Sequence, residues 1–296
     1  NIINARAGLL AMLIVNITDF HTYWGAAPQT TTYGICLYYF LIFFIFRGAT
    51  TNLNKKTWLA LTLFFIPVLI LAHAVSSFIA LISILGLITG SCVYRICYDN
   101  RAVILPPILV LLLYGVVLLQ HWFVALYNQM RDESFFDVIT STLITYITEH
   151  ADFLNRPEAV SGYATMLPPL VERMADTTGL ALLMFLSAIG CLFWLSKKYR
   201  SAFTFPMIVC TIVLLFITFG FPLFGIRNII PSRWFAFMYF FLSIMAAFAL
   251  LTILPKTSKK GLGLMMCFVV LSSLTFFMTT STIANEDSPF WLQETT

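Results

Sequence analysis

Several polar side chains stand at the ends of long apolar segments, where they could bind a ligand or take part in a reaction. The first pair is Asp19 and His21, which are followed by Tyr23 and Trp24. Residues two apart lie on the same side of an extended chain but about 200° apart around a helix. If the segment is extended, Asp19 and His21 could together contact a metal ion or a protonated substrate group. The alternative is a polar loop in which the two aromatic residues anchor the membrane interface.

His73 is a second candidate, because it stands near the end of another apolar segment and next to Ser76 and Ser77. An imidazole there can bond Ser76, a backbone carbonyl or a polar ligand that enters from outside. Two interpretations of His73 therefore stay open at this point. It is either a substrate contact or a histidine that only completes the packing of a turn.

Two arginines flank a connection that leads directly into a further apolar segment, and they are Arg227 and Arg233. An arginine side chain can hold a phosphate through two parallel hydrogen bonds. Ser232 could cap the following helix, whose N-terminus also favours an anion. Arg233 and Arg227 are therefore candidates for binding the phosphate of a lipid. The alternative is an arginine that extends to the membrane interface or pairs with an acid of a long outer segment.

The composition of the chain predicts that these residues are carried by membrane-spanning helices. Of the 296 residues, 60% are hydrophobic and only 10% are charged, whereas soluble domains are about 25% charged. A spanning helix needs about 20 apolar residues, and the long continuous apolar runs lack the alternation of barrel strands. The sequence predicts an all-α, polytopic bundle of about nine helices. Their approximate ranges are 7–17, 31–46, 57–75, 78–94, 103–122, 179–195, 202–219, 234–254 and 262–282.

Lysine and arginine predict which helix ends face the cytoplasm, where these residues are in excess. Eleven of them lie in one set of alternate connections, whereas the opposite set carries five arginines. Basic residues confined to short connections also argue against a nucleic-acid partner. We therefore predict an integral, multi-pass protein of the plasma membrane whose long loop and C-terminal tail are extracytoplasmic. The eleven are Arg47, Lys55, Lys56, Arg95, Arg101, Lys197, Lys198, Arg200, Lys256, Lys259 and Lys260.

The chain divides into four regions by composition. Residues 1–126 form a first transmembrane helix group, 127–178 an outer amphipathic segment, 179–282 a second transmembrane helix group, and 283–296 the start of an outer soluble tail. The outer segment carries eight acids and three arginines, with apolar residues at helical spacing, which is typical of helices that lie on the membrane surface. Because the chain opens with Asn1 inside an apolar stretch, we expect that an N-terminal piece of the natural protein is missing.

Several short motifs resemble the C-terminal transmembrane half of GT-C type membrane glycosyltransferases. The likeness is to archaeal members related to oligosaccharyltransferase and to the dolichyl-phosphate-mannose-dependent mannosyltransferases. It covers most of the chain. The matching residues are Asp19 to His21 followed by Pro28-Gln29-Thr30, Leu71-Ala72-His73 before a tight outer turn near Ser76, Pro231-Ser232-Arg233-Trp234-Phe235 at the start of a helix, and Asn285-Glu286-Asp287-Ser288-Pro289-Phe290 in the tail.

The resemblance implies transfer of a sugar from a polyprenyl-phosphate or polyprenyl-diphosphate carrier to an acceptor on the extracytoplasmic face, as in protein glycosylation at the cell envelope. The carrier would lie between helices in the lipid bilayer, with its phosphate held by Arg233. In the family, an acidic pair in the first outer loop is catalytic, often with a divalent cation such as Mg or Mn. This chain has no such pair, and that loop would precede Asn1, so the catalytic residues stay unassigned.

Three other classes of protein stay open. A transporter or flippase would fit the helix interruptions at Pro67, Pro106-Pro107 and Pro206, although the chain has almost no ionisable residues in the middle of its spans. An O-antigen ligase or polymerase-like protein shares the architecture and the large outer loop. A non-catalytic membrane subunit would explain the missing acidic pair.

Overall fold

A computed structural model of the chain describes residues 5–26, 30–50, 54–124, 170–223, 234–253 and 260–281. Within these ranges every regular element is a helix, which confirms the all-α prediction. The described helices are α1 (Ala5–Ile17), α2 (Asp19–Ala26), α3 (Thr30–Thr50), α4 (Lys55–Ala72), α5 (Ala74–Cys97), α6 (Ile108–Val124), α7 (Leu170–Leu195), α8 (Thr204–Leu223), α9 (Trp234–Ile253) and α10 (Lys260–Thr279).

Six of the described helices, α3, α4, α5, α7, α9 and α10, are long and apolar enough to cross a membrane. Helices α1, α6 and α8 contain shorter apolar stretches, and they coincide with the other three predicted spans. Large apolar side chains are exposed on the outside of the bundle, for example Phe216, Leu264 and Phe268 at 66%, 74% and 71% of their surface. A soluble protein rarely exposes so much contiguous apolar surface. The described residues therefore form a multi-helix membrane protein.

Side-chain contacts show that the helices run in alternating directions. Helices α3, α5, α7 and α9 run one way, whereas α4, α8 and α10 run the other way. Contacts between helices that run the same way are Tyr38 with Ser83 and Phe237, Gly34 with Ser76, Ser187 with Leu242, and Gly190 with Met245. Contacts between helices that run in opposite directions are Gly34 with His73, Gly86 with Cys210, Gly90 with Pro206, and Gly179 with Met278.

The alternation separates two chemically different ends of the bundle. We call one the basic end, because Arg47, Lys55, Arg95 and Lys198 lie at helix termini or connections there. We call the opposite end, which carries His21 and His73, the histidine end. The candidate site residues that the structure describes all lie at the histidine end.

The break between α4 and α5 consists of a single residue, His73, whose backbone is extended (φ −160°, ψ 116°). The turn predicted near Ser76 is therefore displaced by three residues, and Ser76 lies inside α5. Helix α7 begins at Leu170, nine residues before the predicted span, so a part of the segment assigned to the outer surface continues directly into a spanning helix.

Glycines set the closest approaches between helices. A Cβ atom at residue 190 would overlap the carbonyl oxygen of Met245 in α9, and a Cβ atom at residue 90 would lie 2.6 Å from Cα of Pro206 in α8. Gly86 also faces α8, at Cys210, so Gly86 and Gly90 form a G-x-x-x-G pair. Small residues at this spacing let helix backbones come together in a membrane. These contacts hold α5 against α8 and α7 against α9.

Candidate functional site

The segment that contains Asp19 and His21 is helical, because α2 spans Asp19–Ala26. The condition under which both side chains would face one ligand, an extended chain, is therefore not met. The two residues still meet a common neighbour, Tyr239 of α9. Asp19 is only 2% exposed and is hydrogen-bonded to the Tyr239 hydroxyl, and the rings of His21 and Tyr239 are 6.3 Å apart.

Both ring nitrogens of His21 face hydroxyl groups. Nδ1 lies 2.9 Å from Oγ1 of Thr18, and Nε2 lies 2.5 Å from the hydroxyl of Tyr39 in α3. The Tyr39 hydroxyl donates to the carbonyl of Ala236 at 2.7 Å, so it must accept from His21. The hydrogen is therefore on Nε2 when the ring is neutral, which leaves Nδ1 as an acceptor. Oγ1 of Thr18 also lies 2.7 Å from the carbonyl oxygen of Val15, so its single hydrogen is shared between that carbonyl and Nδ1. This network joins α2, α3 and α9 at the histidine end.

Burial lowers the pKa of His21 from 6.5 to about 4, because a charged imidazolium is poorly solvated away from water. The ring is therefore neutral at physiological pH. Neutral imidazole can exchange hydrogen bonds with a polar ligand without adding a positive charge. In the described part of the chain, no three His, Cys, Asp or Glu residues converge as a metal site, and each ring nitrogen of His21 already faces a hydroxyl group, so neither is free to bind a metal. Asp19 and His21 thus do not fit a divalent cation in this arrangement.

The neutral state of His21 predicts a loss of stability in acid. Between about pH 6.5 and pH 4 the unfolded chain binds a proton at His21 that the folded chain excludes. Stability is therefore complete above pH 6.5 and falls as the pH drops towards 4, by about 3 kcal/mol in total for this group. We expect the unfolding temperature of the detergent-solubilised protein to fall less between pH 7 and pH 4.5 in His21→Gln than in the wild type. Equal slopes in the two proteins would contradict a depressed pKa.

A cleft of about 600 Å³ opens beside this network, between α1, α3 and α9. His21, Asn16, Thr32 and Tyr39 contribute polar atoms to it. Asn16, His21 and Thr32 lie where α1 ends and α3 begins, whereas Tyr39 lies further along α3 and reaches His21 with its hydroxyl. The remainder of the cleft is apolar. Its apolar lining consists of Gly8, Ala11, Met12, Val15, Ile35, Cys36, Phe43, Phe240 and Ile244.

The cleft is accessible from the outside of the bundle, since Met12 and Phe43 on its rim are 64% and 51% exposed. Along α1 its lining extends from Gly8 to Asn16, which corresponds to about 12 Å at 1.5 Å per residue. That length is close to the depth of one leaflet of the hydrocarbon core, about 15 Å. The cleft can therefore accommodate an elongated apolar group with a polar group at the histidine end.

His73 has a structural role in the geometry that is described. Its Nδ1 atom accepts a hydrogen bond from the backbone N–H of Ser76 at 3.1 Å and lies 2.7 Å from the Ser76 hydroxyl. The side chain thus caps the N-terminus of α5, where backbone donors lack partners within the helix. Its other ring nitrogen lies 3.4 Å from Oγ1 of Thr31 in α3. These contacts favour the interpretation of His73 as a residue that shapes the turn.

Arg227 and Arg233 lie outside the described residues, as do Pro28 and Gln29 and most of the segment 127–178. The assignment of Arg227 and Arg233 to a lipid phosphate therefore stays a prediction. Helix α9, which Arg233 immediately precedes, begins at Trp234. The Trp234 side chain is buried, and Ala236 and Tyr239 in the first turns of this helix contact the His21 network.

Five contributors to the site are not marked by the sequence, namely Asn16, Thr18, Thr32, Tyr39 and Tyr239. Tyr39 and Tyr239 lie inside apolar segments and look like ordinary span residues, and Asn16 lies one residue before the end of α1. A polar ring within an otherwise aliphatic span is a weak signal that a hydrogen-bond partner exists nearby. It does not indicate which partner.

Comparisons with models of protein families, with curated proteins and with solved structures give no match to this chain. The class that the fold defines is that of multi-helix membrane proteins with an amphipathic cleft at one end. The assignment to a particular activity rests on the cleft and on the residues around it.

Proposed function

We propose that the chain is an integral membrane glycosyltransferase, or part of one, that transfers a sugar from a polyprenyl-phosphate-linked donor to an acceptor on the extracytoplasmic face. The observation that supports this function is the cleft between α1, α3 and α9. It is apolar along most of its length and polar at one end, as an isoprenoid chain with a phosphate head requires. The resemblance of the flanking motifs to GT-C type enzymes points to the same class of substrate.

The proposed membrane orientation follows from the separation of charge along the bundle. The basic end carries the lysine and arginine excess, so it faces the cytoplasm in this proposal. The histidine end, with the polar mouth of the cleft, then lies at the extracytoplasmic surface. A lipid-linked donor in the outer leaflet could enter the cleft sideways, with its apolar chain against Phe43 and Ile244 and its head near His21. Nine spanning helices, the number predicted from the sequence, are compatible with this proposed orientation of the two ends.

The chemical roles divide between charge stabilisation and positioning. Negative charge builds up on the phosphate as the sugar leaves, so a nearby positive charge lowers the barrier. Arg233, next in sequence to the start of α9, is the residue proposed to supply it, with Arg227 as a second candidate. The neutral His21 ring and the Thr32 hydroxyl would position the sugar or phosphate by hydrogen bonds. No described residue is assigned as the base that activates the acceptor.

The proposal predicts that Arg233→Ala lowers sugar transfer while the protein still inserts into the membrane. Loss of a hydrogen-bonded charge of this kind costs about 1.5 to 3 kcal/mol, or about 10- to 100-fold in rate. The assay follows release of radiolabelled sugar from polyprenyl phosphate in proteoliposomes that contain the protein. Arg233→Lys keeps the charge but loses the paired donors, so it should retain part of the activity. Unchanged transfer in Arg233→Ala would remove Arg233 from the site.

A transporter or flippase is the main rival, and the same proteoliposomes separate the two classes. A glycosyltransferase consumes lipid-linked sugar and forms a glycosylated acceptor. A transporter moves a solute or a lipid across the bilayer and leaves the donor intact. Uptake without consumption of the donor would overturn the enzyme proposal.

A further inference from the structure

A second cavity, of about 410 Å³, lies at the opposite, basic end of the bundle. The C-terminal parts of α3, α7 and α9 and the start of α8 surround it. Lys198 and Arg200 in the connection between α7 and α8 supply positive charge, and Trp194 and Phe248 form an aromatic wall. Its size falls in the range of small-molecule sites, about 300 to 1,000 Å³.

The two cations of this cavity rest on aromatic rings. The guanidinium carbon of Arg200 lies 3.8 Å from the ring centroid of Tyr98, and Nζ of Lys198 lies 4.9 Å from that of Tyr199. Within the described ranges neither side chain forms an ion pair or donates a hydrogen bond. Stacking uses the flat face of a guanidinium and leaves its N–H groups free at the edge. Arg200 is therefore oriented and still able to bind an oxyanion.

Few acidic residues are present at the basic end to neutralise Lys198 and Arg200. The stretches that connect helices there, residues 47–56, 95–107, 196–203 and 254–260, contain eleven lysines and arginines and a single acid, Asp99. One carboxylate oxygen of Asp99 accepts a hydrogen bond from the backbone N–H of Arg101 at 3.0 Å. The charge of the cavity is thus available for an external anion.

The start of α8 completes the lining. Ser201 and Thr204 both line the cavity, and each side-chain oxygen accepts a hydrogen bond from the backbone N–H of the other residue, at 2.9 and 3.1 Å. This reciprocal cap fixes the first turn of the helix. The N-terminus of α8 adds partial positive charge there, whereas the C-terminal ends of α3, α7 and α9 around the same cavity carry partial negative charge, so the attraction for an anion comes from Lys198 and Arg200. Two hydroxyl groups and two cations therefore converge on one cavity.

We propose that this cavity binds a phosphate group, held by Lys198 and Arg200, with the apolar part of the ligand against Trp194 and Phe248. The site is independent of the proposed sugar transfer, because it lies at the other end of the bundle. Phosphate chemistry of this kind has two sources, the headgroup of an anionic phospholipid in the adjacent leaflet and a soluble phosphate compound. The position between helix ends and the aromatic wall favours the phospholipid.

The test compares the wild type with the double variant Lys198→Gln/Arg200→Gln. The matched control is Lys197→Gln/Arg101→Gln, which removes the same charge at the same end without touching the cavity lining. Each protein is purified into nanodiscs that contain phosphatidylcholine with a small fraction of phosphatidylglycerol. Phosphatidylglycerol retained after delipidation is measured by native mass spectrometry. Unfolding temperatures in neutral detergent verify that all three proteins are folded.

We expect the cavity variant to retain phosphatidylglycerol at least tenfold more weakly than the wild type and the control. If lipid is not retained but inorganic phosphate raises the unfolding temperature of the wild type and the control alone, the site exists and its ligand is soluble. Equal losses in the cavity variant and in the control would show only nonspecific charge attraction and would overturn the proposal. So would an absence of binding in both arms.

Discussion

Gly8→Trp is expected to abolish binding of the lipid-linked donor without unfolding the protein. Gly8 lines the apolar part of the cleft at the histidine end, and a Cβ atom at this residue would meet no other atom within 4 Å. A tryptophan can therefore enter the open cleft without straining the packing of α1. Its bulky indole ring is expected to obstruct the apolar part of this cleft of about 600 Å³ and so to exclude an isoprenoid chain.

The measurement is retention of a polyprenyl phosphate by the purified protein, together with sugar transfer in proteoliposomes. Gly115→Trp is the matched control, since a Cβ atom at Gly115 also meets nothing within 4 Å and the residue lies on α6, away from the cleft. We expect the control to bind and transfer like the wild type. Full activity in Gly8→Trp would exclude the cleft as the carrier site and leave Arg233 to be tested on its own.

Hydropathy alone located the spans, because the requirement is local. A segment of about 20 apolar residues is recognisable without knowledge of its neighbours. Six of the nine predicted segments coincide with described helices long enough to cross a membrane, and the other three overlap shorter apolar helices. The short helix α2 was missed because the polar residues Asp19, His21 and Thr22 break the apolar pattern. The sequence predicts a shared ligand for Asp19 and His21 only in an extended chain. Because α2 is helical, the two side chains do not face the same side.

The partners of the site residues could not be predicted, because they come from distant parts of the chain. His21 contacts Tyr39 eighteen residues later, and Tyr39 reaches Ala236, which is 197 residues further along. No local pattern marks such pairs. His73 is the opposite case, since its partner Ser76 is three residues away. There the sequence suggested both the hydrogen bond and the turn, and only the position of the turn was displaced.

Charge separation connects the two proposed sites. The histidine end carries a neutral imidazole and a buried carboxylate, whereas the basic end carries cations with a single nearby acid in the sequence. A bundle built in this way can bind anionic headgroups at both membrane surfaces by different means. At the basic end the positive charge comes from Lys198 and Arg200, which the structure describes. At the histidine end the proposed positive charge is that of Arg233.

The contact between α7 and α9 gives the prediction with the largest effect on stability. Ser187 of α7 donates a hydrogen bond to the carbonyl of Leu242 in α9 at 2.8 Å. One turn further on, Gly190 lies against the backbone of Met245. Such close backbone approach requires a residue without a side chain. Helix α9 also carries Tyr239 and Ala236 of the His21 network, so displacement of α9 changes the site as well as the fold.

Gly190→Ala is therefore expected to destabilise the protein, because the added methyl group overlaps a backbone carbonyl that cannot rotate aside as a side chain could. Overpacking in a core costs about 1 to 3 kcal/mol, and a backbone obstacle places this substitution near the upper value. Gly115→Ala is the control, since its methyl group meets nothing and alanine is favoured over glycine in a helix by about 1 kcal/mol. Unfolding temperatures in detergent should fall for Gly190→Ala and stay equal or rise for Gly115→Ala. Equal temperatures in both variants would mean that α7 and α9 are not packed as closely as described.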